Sequence, residues 1–187
     1  MSTTTVRDNS EKRGGRHSFR LKGYDYSQTG AYFITACTKA RIPYFDMYSE
    51  LRNIVQAEWQ SLPERFPNIA TDAFVVMPNH VHAIVTLRAR PTIAGTRPAL
   101  TLGAVVGAYK SLCVNRWLRH IRQIASNTTG AIWQRSYYER IVRNEEELNL
   151  VMEYILLNPL KWSFDIDNPN RINNREYSEN WAWLEGR

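Results

Sequence analysis

Cysteine is scarce: Cys37 and Cys113 are the only two in 187 residues. One lies in an apolar run and the other in a helical pattern. The chain therefore has no disulfide framework and reads as a protein with two buried thiols in a reducing compartment. No apolar run approaches the roughly 20 residues of a membrane-spanning helix. The polar, basic N-terminus has no apolar core of a secretory leader. These absences point to the cytoplasm, with no membrane partner. Acidic residues are missing in a more informative way. Between Ala73 and Tyr138 there is no Asp or Glu, while Arg88, Arg90, Arg97, Lys110, Arg116, Arg119, Arg122 and Arg135 all fall there. A second basic group stands at Arg7, Lys12, Arg13, Arg16, Arg20 and Lys22. The formal net charge of +6 is modest, but its distribution is uneven. Arginine greatly outnumbers lysine, and its planar fork suits phosphate better than general solubility requires. The plain alternative is a solvated basic face. A stretch this long without one carboxylate favours a polyanion as partner.

What is present is globular: 43% hydrophobic and 22% charged residues, enough chain for one domain with a substantial core. Residues 1–18 lack apolar periodicity and read as a flexible basic arm. The folded domain is placed at 19–165 and a C-terminal tail without clear period at 166–187. Aromatic and β-branched residues predict a strand over 31–38, after a turn at 28–30. Helical spacing predicts a helix over 47–62, stopped by Pro63. Strands follow at 70–77 and 80–87, joined by the Pro78-Asn79 turn, and a proline-rich loop runs from 88 to 99. A long amphipathic helix is expected from 102 to about 124, with Val106, Cys113, Val114, Trp117, Ile121 and Ile124 on its apolar arc. Lys110 falls inside that arc, either snorkelling or reaching toward a phosphate. Strand character returns at 132–134 and 137–142. Asn144 then caps a helix with Glu145, Glu146 and Glu147 in its first turn, ending at Asn158 before Pro159. Strands separated by helices around a central hairpin give an α+β fold: an antiparallel sheet with helices packed on it.

The most informative local pattern is His80-Val81-His82 at the start of the second hairpin strand. Side chains alternate faces along a strand, so both imidazoles leave the same face with Cα atoms about 6.5–7 Å apart. They can converge on one metal ion. Tyr154 and Asn158, spaced i and i+4, share a helix surface. If that surface turns toward the histidines, Asn158 can offer an amide oxygen and Tyr154 a phenol. A phenol with a pKa near 10 is a poor nucleophile at neutral pH. A divalent cation polarising a phosphate oxygen makes its attack feasible. Two imidazoles alone favour zinc or another transition metal; an amide oxygen and a substrate phosphate move the choice toward Mn²⁺ or Mg²⁺. Each element has an ordinary reading as well. A His-x-His pair can be two polar strand residues, Tyr154 a packing tyrosine, and Asn158 a helix terminus. Tyr137 and Tyr138 are alternative nucleophiles by chemistry alone.

Taken together, the motifs resemble a known family. Met77-Pro-Asn-His-Val-His82 is similar to the His-hydrophobe-His signature of single-tyrosine DNA transposases. Tyr154-Ile-Leu-Leu-Asn158-Pro-Leu-Lys-Trp162 resembles their tyrosine helix. Further likeness lies in 20–26, 30–38, 103–111 and 133–140, in family order. The branch it most resembles is that of the REP-associated tyrosine transposases. This resemblance implies a sheet of the ferredoxin or RNA-recognition type, His80 and His82 as metal ligands, Tyr154 as nucleophile and Asn158 as third ligand. Insertion-sequence relatives commonly carry glutamine at the last position. It also implies single-stranded DNA, folded as an imperfect palindromic hairpin, as substrate, with a monomer or an interlocked homodimer as the working form. Arg16, Arg20, Lys22, Lys110, Arg116, Arg119, Arg122 and Arg135 are the candidate DNA contacts. Two rival classes remain: a hairpin-binding module without strand transfer, and a hydrolytic metal phosphoesterase that uses water.

Overall fold

The computed structural model describes residues 23–89, 100–174, 179–181 and 183–184. The expected arm at 1–18, with Arg16, Arg20 and Lys22, lies outside the described residues, as does most of the 88–99 loop.

Four strands form one antiparallel sheet: β1 (Gly30–Cys37), β2 (Ile69–Val76), β3 (His80–Leu87) and β4 (Tyr138–Val142), in the order β2-β3-β1-β4. Between β1 and β2 come α1 (Tyr44–Met47), α2 (Ser49–Gln60) and α3 (Leu62–Arg65). The long α4 (Leu102–Gln123) links β3 to β4, and α5 (Glu145–Leu157) follows β4. This βαββαβ order is the split arrangement of ferredoxin-like domains.

Strand alternation divides the molecule. Tyr32, Ile34 and Ala36 of β1 and Val81, Ala83 and Val85 of β3 enter the larger core with Leu51, Ile54, Val55 and Trp59 of α2 and Val105, Val106, Tyr109 and Cys113 of α4. The intervening residues face the other way. Phe33 and Ile84 meet Val151, Tyr154 and Ile155 of α5 in a smaller core. Thr35 and His82 are cross-strand partners, as are Cys37 and His80.

Several boundaries differ from the sequence expectation. The helix expected over 47–62 is α2, Ser49–Gln60, which ends before Pro63; short α1 and α3 flank it, and Pro63 lies in the first turn of α3, where its missing N–H costs nothing. The strand expected at 132–134 is reduced to one bridge, Thr38 to Trp133. Ile124 lies past the end of α4 and is 58% exposed, while Val105 and Tyr109 fill the apolar arc instead. Asn144 caps α5 as expected, its side chain accepting from the Glu147 N–H. At Asn158 the chain tightens into a 3-10 segment, Asn158–Phe164, carried through Pro159 near its start. The tail, in which the sequence shows no clear period, is helical at 179–181 and 183–184.

Candidate metal centre

His80 and His82 open β3 on the face that α5 covers, and both are fully buried. Their Nε2 atoms lie 2.9 Å apart. Each Nδ1 atom has a polar neighbour. Thr35 Oγ1 lies 2.9 Å from His82 Nδ1. Asn79 Oδ1 lies 2.9 Å from His80 Nδ1. The Asn79 amide cannot be the other way round, because its Nδ2 donates to the carbonyls of Asp167 (2.8 Å) and Arg41 (3.1 Å). His80 must therefore donate from Nδ1, which leaves a lone pair on Nε2 in the neutral ring. That lone pair faces His82 Nε2. Two imidazole nitrogens this close need a proton or a cation between them, and the spacing suits neighbouring ligands of one ion. The donor set fits a divalent metal.

Tyr154, one turn before the end of α5, places its hydroxyl 3.5 Å from His82 Nε2 of its own chain. Its ring lies between His82, Phe33 and Trp181, with centroid distances of 5.2, 6.0 and 5.2 Å. The side chain is 2% exposed, so the tyrosine belongs to the buried face of α5 rather than to a flank of it. Asn158 is buried nearby at the start of the 3-10 segment, its side chain beside Asp165.

Sequence reasoning missed Asp165. The chain returns after Phe164 and places this fully buried carboxylate with Oδ2 at 3.8 Å from His80 Nε2 and 3.9 Å from His82 Nε2. Burial alone would raise its pKa; the facing His82 and His80 outweigh this, with a smaller pull from Asn158, and hold it below the usual carboxylate range. His80, His82 and Asp165 together could hold a metal ion, their ligand atoms lying within 4.8 Å of one another. The Asp-x-Asp-Asn run at 165–168 signals a tight turn in sequence but nothing of its destination. Asn79 and Thr35 were equally silent, one read as a turn residue and the other as strand.

The basic residues lie elsewhere. Lys110 gives its ammonium to the carbonyls of Gln134 (2.6 Å), Ser136 (3.2 Å) and Arg135 (3.4 Å), tying α4 to the segment before β4. Arg116 pairs with the buried Glu58 at 3.2 Å. Arg119, Arg122 and Arg135 are exposed. Arg116 and Arg119 line a groove of about 470 Å³ together with Arg65, His120, Glu50 and Glu58. This helix layer packs on the sheet face opposite the histidines, so the structure does not bring these residues to the metal centre. Of the alternative tyrosines, Tyr138 packs on Phe33 and Tyr137 on the larger core.

The model of the family described as "Transposase IS200 like" matches residues 27–158, and the chain belongs to that family. Within it, the likeness is to REP-associated tyrosine transposases. One Haemophilus influenzae Rd protein provisionally given that name is 22% identical over 144 residues, covering 75% of this chain and 76% of its own. Another protein of that strain, with no assigned function, is 34% identical over 170 residues, covering 80% and 91%. A solved REP-associated tyrosine transposase, bound to a REP hairpin, superposes with a TM-score of 0.53 at 19% identity, covering 76% of this chain and 74% of its own; it supports the fold. Family membership supports a transposase-type role in binding and cutting DNA. Among the described residues no helix is long and apolar enough to cross a membrane.

Proposed function

We propose that this chain is a metal-dependent single-strand DNA transesterase that cleaves and rejoins DNA at REP-like palindromic hairpins through a covalent phosphotyrosine. The observation that carries the reading is the Tyr154 hydroxyl at 3.5 Å from His82 Nε2, in the same buried site as the paired imidazoles. His80, His82 and Asn158 would hold a divalent cation, Mg²⁺ or Mn²⁺. When bound, it would supply Lewis-acid polarisation of the scissile phosphate and offset the charge that builds there. Asn79 and Thr35 fix the imidazoles so that their Nε2 atoms point inward. Tyr154 attacks phosphorus: a bond forms from its oxygen, the bond to the departing strand's oxygen breaks, and the phenol proton ends on the released hydroxyl. The phosphotyrosine ester conserves the bond, so another strand's hydroxyl can reverse the step without ATP. Tyr154 serves its own chain's histidines, and one copy suffices for the site. Arg119, Arg122 and Arg135, with Arg16, Arg20 and Lys22, contact the DNA backbone.

A second reading has its own support. Tyr154 is 2% exposed and lies against Trp181, so no phosphate reaches it until that ring moves. A chain held in this state would bind hairpins without cutting them. Covalent capture separates the two. Labelled single-stranded hairpin DNA from repeats beside the gene is incubated with wild type or Tyr154→Phe in Mn²⁺, Mg²⁺ or chelator, then run on a denaturing gel. A metal-dependent protein–DNA band that disappears in the variant supports transesterification. Hairpin binding with no band in any metal supports the binding module. Cleavage without any linkage, persisting in Tyr154→Phe, assigns the attack to water.

A further inference from the structure

Building on the metal-dependent reading above, we infer that Asp165 is a further protein ligand of the ion, delivered by the chain segment that follows the tyrosine helix. Its two oxygens have different surroundings. Oδ1 accepts the Asp167 N–H at 2.6 Å, closing a tight turn that fixes the carboxylate plane. Oδ2 is shut off from water, has no short hydrogen bond, and faces the two Nε2 atoms at 3.8 and 3.9 Å, with the Asn158 amide also near the carboxylate. Burying a charged carboxylate oxygen without a close donor is costly, so such atoms are normally met by a cation. The three atoms form a triangle with sides of 2.9, 3.8 and 3.9 Å, the outline of three ligands on one side of a single ion.

The segment is held there deliberately by contacts that are not part of the triangle. Asp167 pairs through its carboxylate with Arg41, and its carbonyl accepts from Asn79 Nδ2 at 2.8 Å. Asn79 thus holds both the His80 imidazole and the turn carrying Asp165, and links two ligands that are far apart in sequence. Adding a carboxylate to two imidazoles and the Asn158 amide makes half of the donors oxygen. That composition moves preference toward Mn²⁺ and Mg²⁺ and away from the softer metals that two histidines alone favour.

The test is direct metal binding by the metal-stripped full chain, without DNA or turnover. Mn²⁺ uptake is measured by calorimetry and by the paramagnetic resonance signal of free Mn²⁺. Asp165→Asn keeps an oxygen for the Asp167 N–H and removes the charge. It is expected to weaken Mn²⁺ binding about 10- to 100-fold. Asp167→Asn, in the same turn but aimed at Arg41, is expected to stay within about threefold of wild type. Asp165→Cys replaces the hard oxygen with a thiolate and is expected to gain a thiolate-to-cadmium absorption band, on Cd²⁺ addition, beyond that of wild type. This readout requires direct ligation. Equal Mn²⁺ affinity in wild type and Asp165→Asn overturns the inference, as does equal loss in both Asn variants without a new cadmium band. Wild type that binds Mn²⁺ with Asp165 dependence but captures no DNA leaves the ligand in place and removes the transesterase reading. Wild type that takes up no Mn²⁺ removes both.

Discussion

Asn79→Ala tests whether the imidazoles are set by their outer partners. The Asn79 side chain is buried and makes three hydrogen bonds: it accepts from His80 Nδ1 and donates to the carbonyls of Arg41 and Asp167. Truncation leaves one imidazole N–H and two carbonyls without their partner. At about 1 kcal/mol or more for each buried group so left, the loss is about 3 kcal/mol. For a domain of this size that corresponds to a fall in Tm of roughly 6–12 °C. The Arg41 carbonyl also belongs to a turn in which Ala40 and Arg41 are held in the left-handed region, at φ 53° and 55°. That conformation is costly for residues with a Cβ and depends on such outside support. The second consequence is chemical. Without an acceptor at Nδ1, the His80 proton is free to move to Nε2, where it blocks ligation. Mn²⁺ affinity should fall about 10- to 100-fold, the usual cost of losing an outer partner of a ligating histidine. Scanning fluorimetry and Mn²⁺ calorimetry read the two effects separately. A variant that loses stability yet binds Mn²⁺ like wild type would refute the tautomer argument and leave Asn79 only a clamp for the Asp167 turn.

Because Tyr154 reaches the histidines of its own chain, mixing His82→Ala with Tyr154→Phe should restore no covalent adduct; an adduct at half the wild-type level would place the tyrosine in trans. Arg119→Ala and Arg122→Ala should each lower hairpin affinity and reduce the salt slope of binding by about one, with unchanged Tm. Arg116→Ala should behave differently, since it strips the partner from the buried Glu58 and costs about 1–3 kcal/mol of stability; equal Tm in all three variants would contradict that distinction. Burial pushes the Lys110 ammonium down to about 8, opposed by a weaker effect of Cys37. The unfolded chain keeps that proton to about 10.4, so between pH 8 and 10.4 it binds more protons than the folded one and stability rises with pH, by about 1–3 kcal/mol. Below pH 8 this group adds no slope. Urea unfolding of wild type and Lys110→Met from pH 7 to 10 should diverge in this window, and parallel curves would refute it.

The sheet and both main helices were legible because they rest on local periods. Alternation in 80–87 put both histidines on one face, and their Nε2 atoms meet there at 2.9 Å. The i, i+4 spacing put Tyr154 and Asn158 on one helix surface, and both are buried; that this surface faces the histidines was left open by the sequence. Periodicity failed where tertiary contacts decide. Ile124 fits the helical arc by spacing, yet the helix ends one residue before it. The helix expected to stop at Pro63 does end before it, at Gln60, but the sequence did not show that the same proline opens a further short helix. Lys110 left two readings open, and the structure places its ammonium on three backbone carbonyls. Asp165 could not be found at all by local pattern. Its partners lie more than eighty residues earlier, and the contact that brings it back, Asn79 to Asp167, spans 88 positions.

The same alternation that pairs the histidines also separates stability from chemistry. In β1 and β3 one set of side chains enters the larger core with α2 and α4, while the other set faces the smaller core under α5. A slip of one residue in the β1–β3 register would exchange these sets and put His80 and His82 into the hydrophobic layer, so the larger core itself enforces the site. The metal face has fewer apolar residues, and part of its cover comes from Trp181, Trp183 and Leu184 near the C-terminus. Elements held by fewer apolar contacts open at lower free energy than the global fold. On the proposed reading, DNA would reach Tyr154 by an opening on the α5 side. His80 and His82, fixed by β3, Thr35 and Asn79, would keep their geometry while that side parts, whereas Asn158 and Asp165 follow α5 and would move with it.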